Sequence, residues 1–468
     1  MKNLKIYSLL ALVLVAFGCE VLEHEPQQQI STELAFSNEK SAEAVLNGLY
    51  NEAQLVYSWR PFIFGDLASD AVQSIDTWDA FNQVDNYSNS ADNSEVDDFY
   101  TQIYRGIDMA NQIIANAPKV EMPAAKINDF LGQAYLFRGM FYFELARYWS
   151  GIPNSYNEEG VVIRTTPSNG INDESFAPRA SFDATWTQIL SDLQEGYARL
   201  PEVRSNNAEN RRRLTKPAAA AMLARTYFYQ ANWPQAANYA SEVISNARFS
   251  LVEPFSTIYR TEFSVESIFE MDYNNIDFSG IRGWYYPPNL GGRGGLCFHS
   301  AYYQYLIEEP GDARASLIAS RVFNGQTVYY STKYDLLLNA SNIPLLRIAE
   351  MYLIRAEARV NGAGGGPAGA ITDLNAVRNR AGLPSVNPSG SSSILNAIWK
   401  ERDKEFAIEG QRYFDLIRTG RAMSTLQNLS RTAGSSLVSI PNQGRLLMPI
   451  PNADILANPQ MTQNSAYR

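Results

Sequence analysis

The strongest constraint on this 468-residue chain is a repeated pair of short amphipathic helices. Lys216 to Gln230 carries alanine and apolar positions at helical spacing. Asn232-Trp233-Pro234 breaks that run, and Gln235 to Ala247 resumes it. Ala220, Ala224, Ala236 and Ala240 are small enough to let the two helices lie close. The plan returns at Leu345 to Val360, a glycine-rich turn through Gly366, and Pro367 to Arg380, with Leu345, Ala349, Tyr352 and Ala356 as the seam. Tyr100 to Ala115 and Lys126 to Tyr148 have the same character. Ile103, Ile107, Ala110 and Ile114 share one stripe, and Phe130, Ala134, Phe137, Phe141 and Leu145 share another. Further helices are expected at Ser41 to Tyr57, from a cap at Ser181 or Asp183 to Leu200, and at Ser393 to Glu409. Such pairs cannot bury their apolar faces alone, so they must stack.

These pairs look like tetratricopeptide repeats, and the expected fold is all-α. A scaffold of about four helix pairs, within 41–148, 181–247 and 343–381, should carry a loop-rich half. A few short strands are expected, at Ser267 to Met271 and Val328 to Tyr334. The N-terminus reads as an address. Lys2 and Lys5 precede the apolar run Leu9 to Phe17, which is too short to span a bilayer and ends at Cys19. Val15-Ala16-Phe17-Gly18-Cys19 resembles a bacterial lipobox, with Ala16 where Leu is usual, and Glu20, Glu23 and Glu25 follow it. The expected organisation is a signal peptide over 1–18, a tether over 19–38 lipidated at Cys19, and a single domain over 39–468.

Composition excludes several functions. A net charge of -10 repels phosphate backbones, so nucleic acid is not an expected partner. The one basic run, Arg211 to Arg213, reads as a solvated loop. Two cysteines, Cys19 and Cys297, and two histidines, His24 and His299, are too scattered for a zinc site, so no metal or cofactor is expected. No nucleophile elbow, zinc-protease motif or phosphate loop is present, and Gly362 to Gly366 reads as a helix stop. Glu401 and Glu405 sit one turn apart on an apolar stripe with Ile394, Ile398 and Ile408. They could be an acid/base pair. The favoured reading is a buried ion-pair network with arginines such as Arg402, Arg412 or Arg418, because a buried charge must be paired.

Several segments in order resemble one family. Arg347-Ile348-Ala349-Glu350-Met351-Tyr352-Leu353-Ile354-Arg355-Ala356-Glu357-Ala358 resembles its central helix. Leu374-Asn375, Val377-Arg378 and Arg380-Ala381-Gly382-Leu383-Pro384 follow. Glu401-Arg402, Glu405-Phe406-Ala407, Glu409-Gly410 and Arg412-Tyr413-Phe414-Asp415-Leu416-Ile417-Arg418 are similar to its C-terminal signature, and Pro449-Ile450-Pro451 with Asn458-Pro459 to its ending. The chain thus resembles the SusD/RagB nutrient-binding lipoproteins of Bacteroidetes over nearly its whole length. The resemblance implies a helical-repeat protein, lipid-anchored on the outer membrane and exposed at the cell surface. It implies a SusC-like TonB-dependent transporter as partner, an oligosaccharide or peptide as ligand, and no chemistry.

Glycan capture needs flat aromatic faces with polar groups at their edges, on loops held by a rigid scaffold. Two regions qualify, about 66–98 and 277–303. The first offers Trp78, Phe81, Asn82 and Asp85; the second offers Trp284, Tyr285, Tyr286, Asn289, Arg293 and His299. Gly291, Gly292, Gly294 and Gly295 would let a ligand approach the backbone. The proposed ligand residues are Trp78, Phe81, Asn82, Trp284, Tyr285, Tyr286, Asn289 and Arg293, while His299 reads as a hydrogen-bonded loop residue. Trp149, Trp186, Trp233 and Trp399 read as core. Three alternatives stay open: peptide capture through Arg293, a surface glycoside hydrolase using Asp76, Asp79 or Asp85, and a pure docking scaffold.

Overall fold

The computed structural model describes residues 31–168, 170, 176–336, 340–431 and 437–468. The expected signal segment, Cys19, His24 and most of the tether lie outside the described residues. Among the described residues nine long helices order the scaffold: α1 (Glu39–Val56), α2 (Ser94–Asn116), α3 (Ala124–Leu145), α4 (Phe182–Arg199), α5 (Lys216–Tyr229), α6 (Trp233–Ile244), α7 (Ile348–Val360), α8 (Gly366–Arg380) and α9 (Ser391–Glu405). Each packs on the next in chain order. The first eight form four successive pairs, and α9 closes the array against α7 and α8.

Local chemistry sets the helix starts. Asn38 caps α1 by accepting from Ser41 N at 3.0 Å, while Ser41 Oγ accepts from Asn38 N at 3.2 Å. This reciprocal box starts α1 two residues before the expected Ser41. Asn93 accepts from the amides of Glu95 and Val96, so α2 begins at Ser94 rather than Tyr100. Glu95 and Asp97 in its first turn suit the positive helix end. Ser181 is the cap of α4, accepting from Ala184 N at 3.1 Å. In α5, Ala218 to Ala221 and Ala224 are wholly buried, as close helix approach requires.

Six short strands among the described residues make three antiparallel ribbons: β1 (Val72–Ser74) with β3 (Leu296–Phe298), β2 (Ser267–Met271) with β6 (Ile343–Arg347), and β4 (Ile318–Phe323) with β5 (Gln326–Ser331). β6 corrects the expected start of the helix at Leu345. Residues 343–347 pair with β2, and α7 begins only at Ile348. β5 stands near the expected strand at 328–334, and its partner β4 was not expected. One continuous apolar core runs from Ala42 to Ile450, with a second cluster between α7, α8 and α9.

The helix at 393–409 is shorter than expected, and its acidic pair is wholly buried. Glu401 pairs with Arg314 at 2.7 Å and Arg378 at 3.0 Å. Glu405 meets Arg347 at 2.8 Å, and also Arg380 and Arg314. The ion-pair reading holds, but its arginines differ: Arg402 takes Asp415, Arg412 takes Asp70 and Asp403, and Arg418 takes Glu357 and Asp415. The basic run is corrected at one position. Arg212 is exposed as expected, but Arg211, on the short helix Glu209–Arg212, is buried and donates to the carbonyls of Ser264 and Arg248, because it joins that helix to the chain before β2 and after α6. No helix among the described residues is long and apolar enough to cross a membrane.

Candidate functional site

The two aromatic loops, more than 200 residues apart in sequence, are tied together by the β1–β3 ribbon. Val72 pairs with Phe298, Gln73 with Cys297 and Ser74 with Leu296, and Ile75 N donates to Gly295 O at 2.8 Å. The next residues on each side then face one another. Arg293 donates through Nε and Nη2 to both carboxylate oxygens of Asp76, the second bond measuring 3.1 Å. This contact explains Gly295: a Cβ there would lie 2.5 Å from Asp76 Oδ2. The space beside Gly292, Gly294 and Gly295 is thus filled by the protein's own Tyr286, Arg321 and Asp76 rather than held open for a ligand, while Gly291 stays open.

Above this pair the aromatics gather. Trp78 and Trp284 meet edge to face at 5.1 Å, and Phe81 lies 4.6 Å from Trp284. The Arg293 guanidinium sits 4.3 Å from the Trp78 ring centre and 5.4 Å from that of Trp284. A guanidinium over an indole face is attracted by the ring quadrupole. Arg293 keeps 42% of its side chain exposed, and its Nη1 is not used by Asp76. The hydrogen bonds from Arg293, outweighing partial burial, hold the Asp76 carboxyl below the usual carboxylate range. Asn82 donates to the Asp76 carbonyl at 3.2 Å and so fixes the turn before Trp78.

A third indole, Trp59, was missed in the sequence. It stands just before the helix Arg60–Leu67, 5.3 Å from Trp284 and 5.6 Å from Phe81. Its position is set from below. Gly65 touches the backbone of Gly410 so closely that a Cβ would lie 2.3 Å from the Gly410 carbonyl oxygen. The neighbouring Asp66 accepts from Gly410 N at 3.0 Å and from the Tyr285 hydroxyl at 3.2 Å. Asp66 therefore ties the segments bearing Trp59 and Trp284 to one point of the scaffold. Burial pushes its carboxyl up to about 8, with the Gly410 and Tyr285 hydrogen bonds opposing.

The other expected site residues do not join the open face of the cluster. Tyr285 is buried with its hydroxyl on Asp66, so it is a core anchor. Tyr286 is buried between Arg282, at 4.1 Å, and Tyr330, at 5.5 Å. Phe81 has no exposed surface and forms the floor beneath the indoles. Asn289 is exposed on the 3₁₀ turn Pro288–Leu290. His299 is buried, with Nε2 at 2.6 Å from the Ser430 carbonyl oxygen. The acidic candidates do not face one another across a cleft. Asp85 is buried, 3.3 Å from Arg431 Nε; Asp79 accepts from Gln83; and Asp76 holds Arg293. No group of three or more metal-ligating side chains occurs among the described residues.

The chain as a whole is similar to known proteins. Residues 319–467 match the family model described as the SusD family, and residues 20–228 match one described as starch-binding, associating with outer membrane. A SusD-like protein, P38 of Formosa agariphila, is 25% identical, with all of both chains covered. A SusD superfamily protein of known structure from Bacteroides thetaiotaomicron superposes with a TM-score of 0.78 at 23% identity, covering 91% of this chain and 99% of that one. A laminarin-binding SusD-like protein superposes with a TM-score of 0.75 at 25% identity, covering 92% and 100%.

Proposed function

We propose, since the chain belongs to the SusD-like family, that it captures an oligosaccharide at the Trp59–Trp78–Trp284 cluster and delivers it to a SusC-like TonB-dependent transporter. The observation that carries this reading is the convergence of two distant loops on one partly exposed aromatic and guanidinium surface. Indole faces and edges suit the apolar faces of sugar rings. Arg293 Nη1 and the Asp76 turn offer groups for hydroxyls at the rim. The starch-binding family description and the laminarin-binding relative support a glycan as ligand.

In this reading Trp59, Trp78, Trp284 and Arg293 touch ligand, while Phe81, Asn82, Asp66 and Tyr285 position them. Residues 1–18 direct export, Cys19 carries the lipid that holds the protein on the outer surface of the outer membrane, and 39–468 act as a single domain. The protein captures without catalysis: Asp76, Asp79 and Asp85 are each engaged locally or exposed alone, where hydrolysis needs two carboxyl groups flanking the scissile bond. Peptide capture through Arg293 is less well supported, because Asp76 already occupies the guanidinium fork that a peptide carboxylate would use.

Affinity gel electrophoresis of the chain from residue 20 onward, against starch, laminarin and other polysaccharides, tests the proposal. One polysaccharide should retard the protein, and Trp284→Ala should lose that retardation, at least tenfold in affinity or about 1.4 kcal/mol. Retardation unchanged in both Trp284→Ala and Trp78→Ala would sink the assignment of this site.

A further inference from the structure

The chain leaves α3 through a turn that is not α-helical. Ala146–Ser150 form a single π turn, closed by Gly151 N donating to Ala146 O at 2.7 Å. Turns of this kind are rare and recur at functional sites. This one carries Arg147, which is 8% exposed and whose guanidinium lies 4.1 Å from the Phe414 ring centre.

Arg147 stands between two cavities. On one side is a void of about 30 Å³ that Glu144 also lines. The guanidinium turns its Nε and Nη2 edge that way, and these nitrogens meet Glu144 Oε2 at 2.7 and 2.6 Å. On the other side is a cavity of about 430 Å³, within the roughly 300–1,000 Å³ typical of small-ligand pockets. Nη1, on the opposite edge, makes no hydrogen bond among the described residues and is not sealed by neighbouring atoms. Other enclosed arginines are more fully engaged. Arg314, Arg347, Arg412 and Arg418 each meet at least two carboxylates, whereas Arg147 meets one.

The rest of the wall sets the ligand class. Arg147 is the one residue of formal charge in it. Ile152, Ile417, Leu446 and Leu447, all buried, and the half-buried Met423 make it largely aliphatic, while Asn154 and Gln443 are exposed at its mouth. A cation would be repelled by Arg147, and a sugar would set its hydroxyls against aliphatic side chains. An anion meets no carboxylate in this wall. Its hydrogen bond to a guanidinium is about twice as strong as one between neutral groups. An apolar body behind the carboxylate would cover the aliphatic wall. We propose that this cavity binds a small monocarboxylate with an aliphatic or aromatic body, the carboxylate on Arg147 Nη1 and the body against Ile417, Leu446 and Leu447. The site shares no residue with the aromatic cluster and does not depend on that surface being a glycan site.

The test is calorimetric titration of the chain from residue 20 onward at neutral pH. Hexanoate and phenylacetate are the probes, with hexanamide and phenylacetamide as their neutral counterparts. At least one carboxylate should bind with a millimolar Kd or tighter, and its amide at least tenfold more weakly. Arg147→Lys keeps a cation beside Glu144 but removes Nη1, and should weaken the carboxylate about tenfold. Met423→Trp fills the cavity from its wall and should abolish binding. Thermal unfolding first establishes that each variant is folded. Met423→Trp should be retarded by polysaccharide just as the unmodified chain is, so failure of this site and failure of the aromatic one are read separately. The proposal is overturned by absence of heat from both carboxylates, by an amide that binds as tightly as its acid, or by carboxylate binding unchanged in either folded variant.

Discussion

Arginine meets carboxylate in two regions of this molecule, with opposite consequences. Between β6 and α9, Glu405 is wholly buried and touches Arg347, Arg380 and Arg314, while Glu266 and Glu409 share Arg347. At the loops, Arg293 has one carboxylate, Asp76, and two indoles, and remains 42% exposed. The buried network gives every charge several partners and cannot yield one without stranding another. The loop pair can trade a hydrogen bond with water, or with a ligand hydroxyl, at little cost. Similar chemistry thus serves as a fixed joint where it is enclosed and, in the proposed function, as a recognition element where it is half open.

The largest expected effect lies in the joint. Glu405→Ala would leave Arg347 and Arg380 to share Glu266, with Glu409 on Arg347, and so one carboxylate too few inside the protein; removal of one partner from a buried pair costs about 3–5 kcal/mol. Denaturant unfolding should show this loss, with Trp284→Ala close to the unmodified chain. A cost below about 1 kcal/mol would mean that water reaches the network. The pH dependence points the same way. Burial raises the Glu405 carboxyl, but Arg380, Arg347 and Arg314 outweigh it and hold it well below the usual range. Its stabilisation is present above the unfolded value of about 4.3 and is lost as pH falls toward the depressed folded value.

Asp66 has the opposite sign. Its folded value, near 8, lies above the unfolded value of about 3.9, so the folded protein holds a proton that the unfolded chain releases. Stability from this group is fully present below pH 4 and drains away as pH rises to about 8. Asp66→Asn cannot ionise, so the difference in unfolding free energy between the two chains should change by a few kcal/mol from pH 4 to pH 9, in favour of the variant at high pH. A difference flat with pH would mean that Asp66 ionises freely. If Asp66 fixes the segments bearing Trp59 and Trp284, ligand affinity of the unmodified chain should also weaken above pH 8 more than that of Asp66→Asn.

The helices were largely legible in the sequence, because a 3.6-residue apolar period follows from burying one face. The start of α7 was not. Leu345 continues the seam spacing of Ala349, Tyr352 and Ala356, and only pairing with β2, some 75 residues upstream, makes Ile343–Arg347 a strand. The site was half legible. Composition pointed to both loops, and the β1–β3 register joins them, but neighbours on the short helix Ile281–Tyr285 have opposite fates: Trp284 remains partly exposed and Tyr285 is sealed on Asp66. Aromatic content cannot distinguish inward from outward. Trp59 carried no loop signal, since it opens a helix amid Tyr57 and Arg60, and only its contact with Trp284 reveals a role.

The smallest expected effect on stability is at the open pair, and it is the most discriminating. Asp76→Asn removes the charge that holds Arg293, but the guanidinium is 42% exposed and can be hydrated instead, so unfolding free energy should shift by less than about 1 kcal/mol. Affinity for ligand should respond differently. With Asp76 neutral, the guanidinium stays near Trp78 only through the ring, and a rim donor that was fixed becomes free to rotate. Glycan binding should weaken several-fold with stability nearly unchanged, and Arg293→Ala should weaken it further by removing the donor itself. A free guanidinium would at the same time suit a carboxylate better, so a peptide ligand should bind Asp76→Asn more tightly than the unmodified chain. Calorimetry of both variants against one polysaccharide and one peptide digest therefore separates the two ligand classes by the sign of a single change.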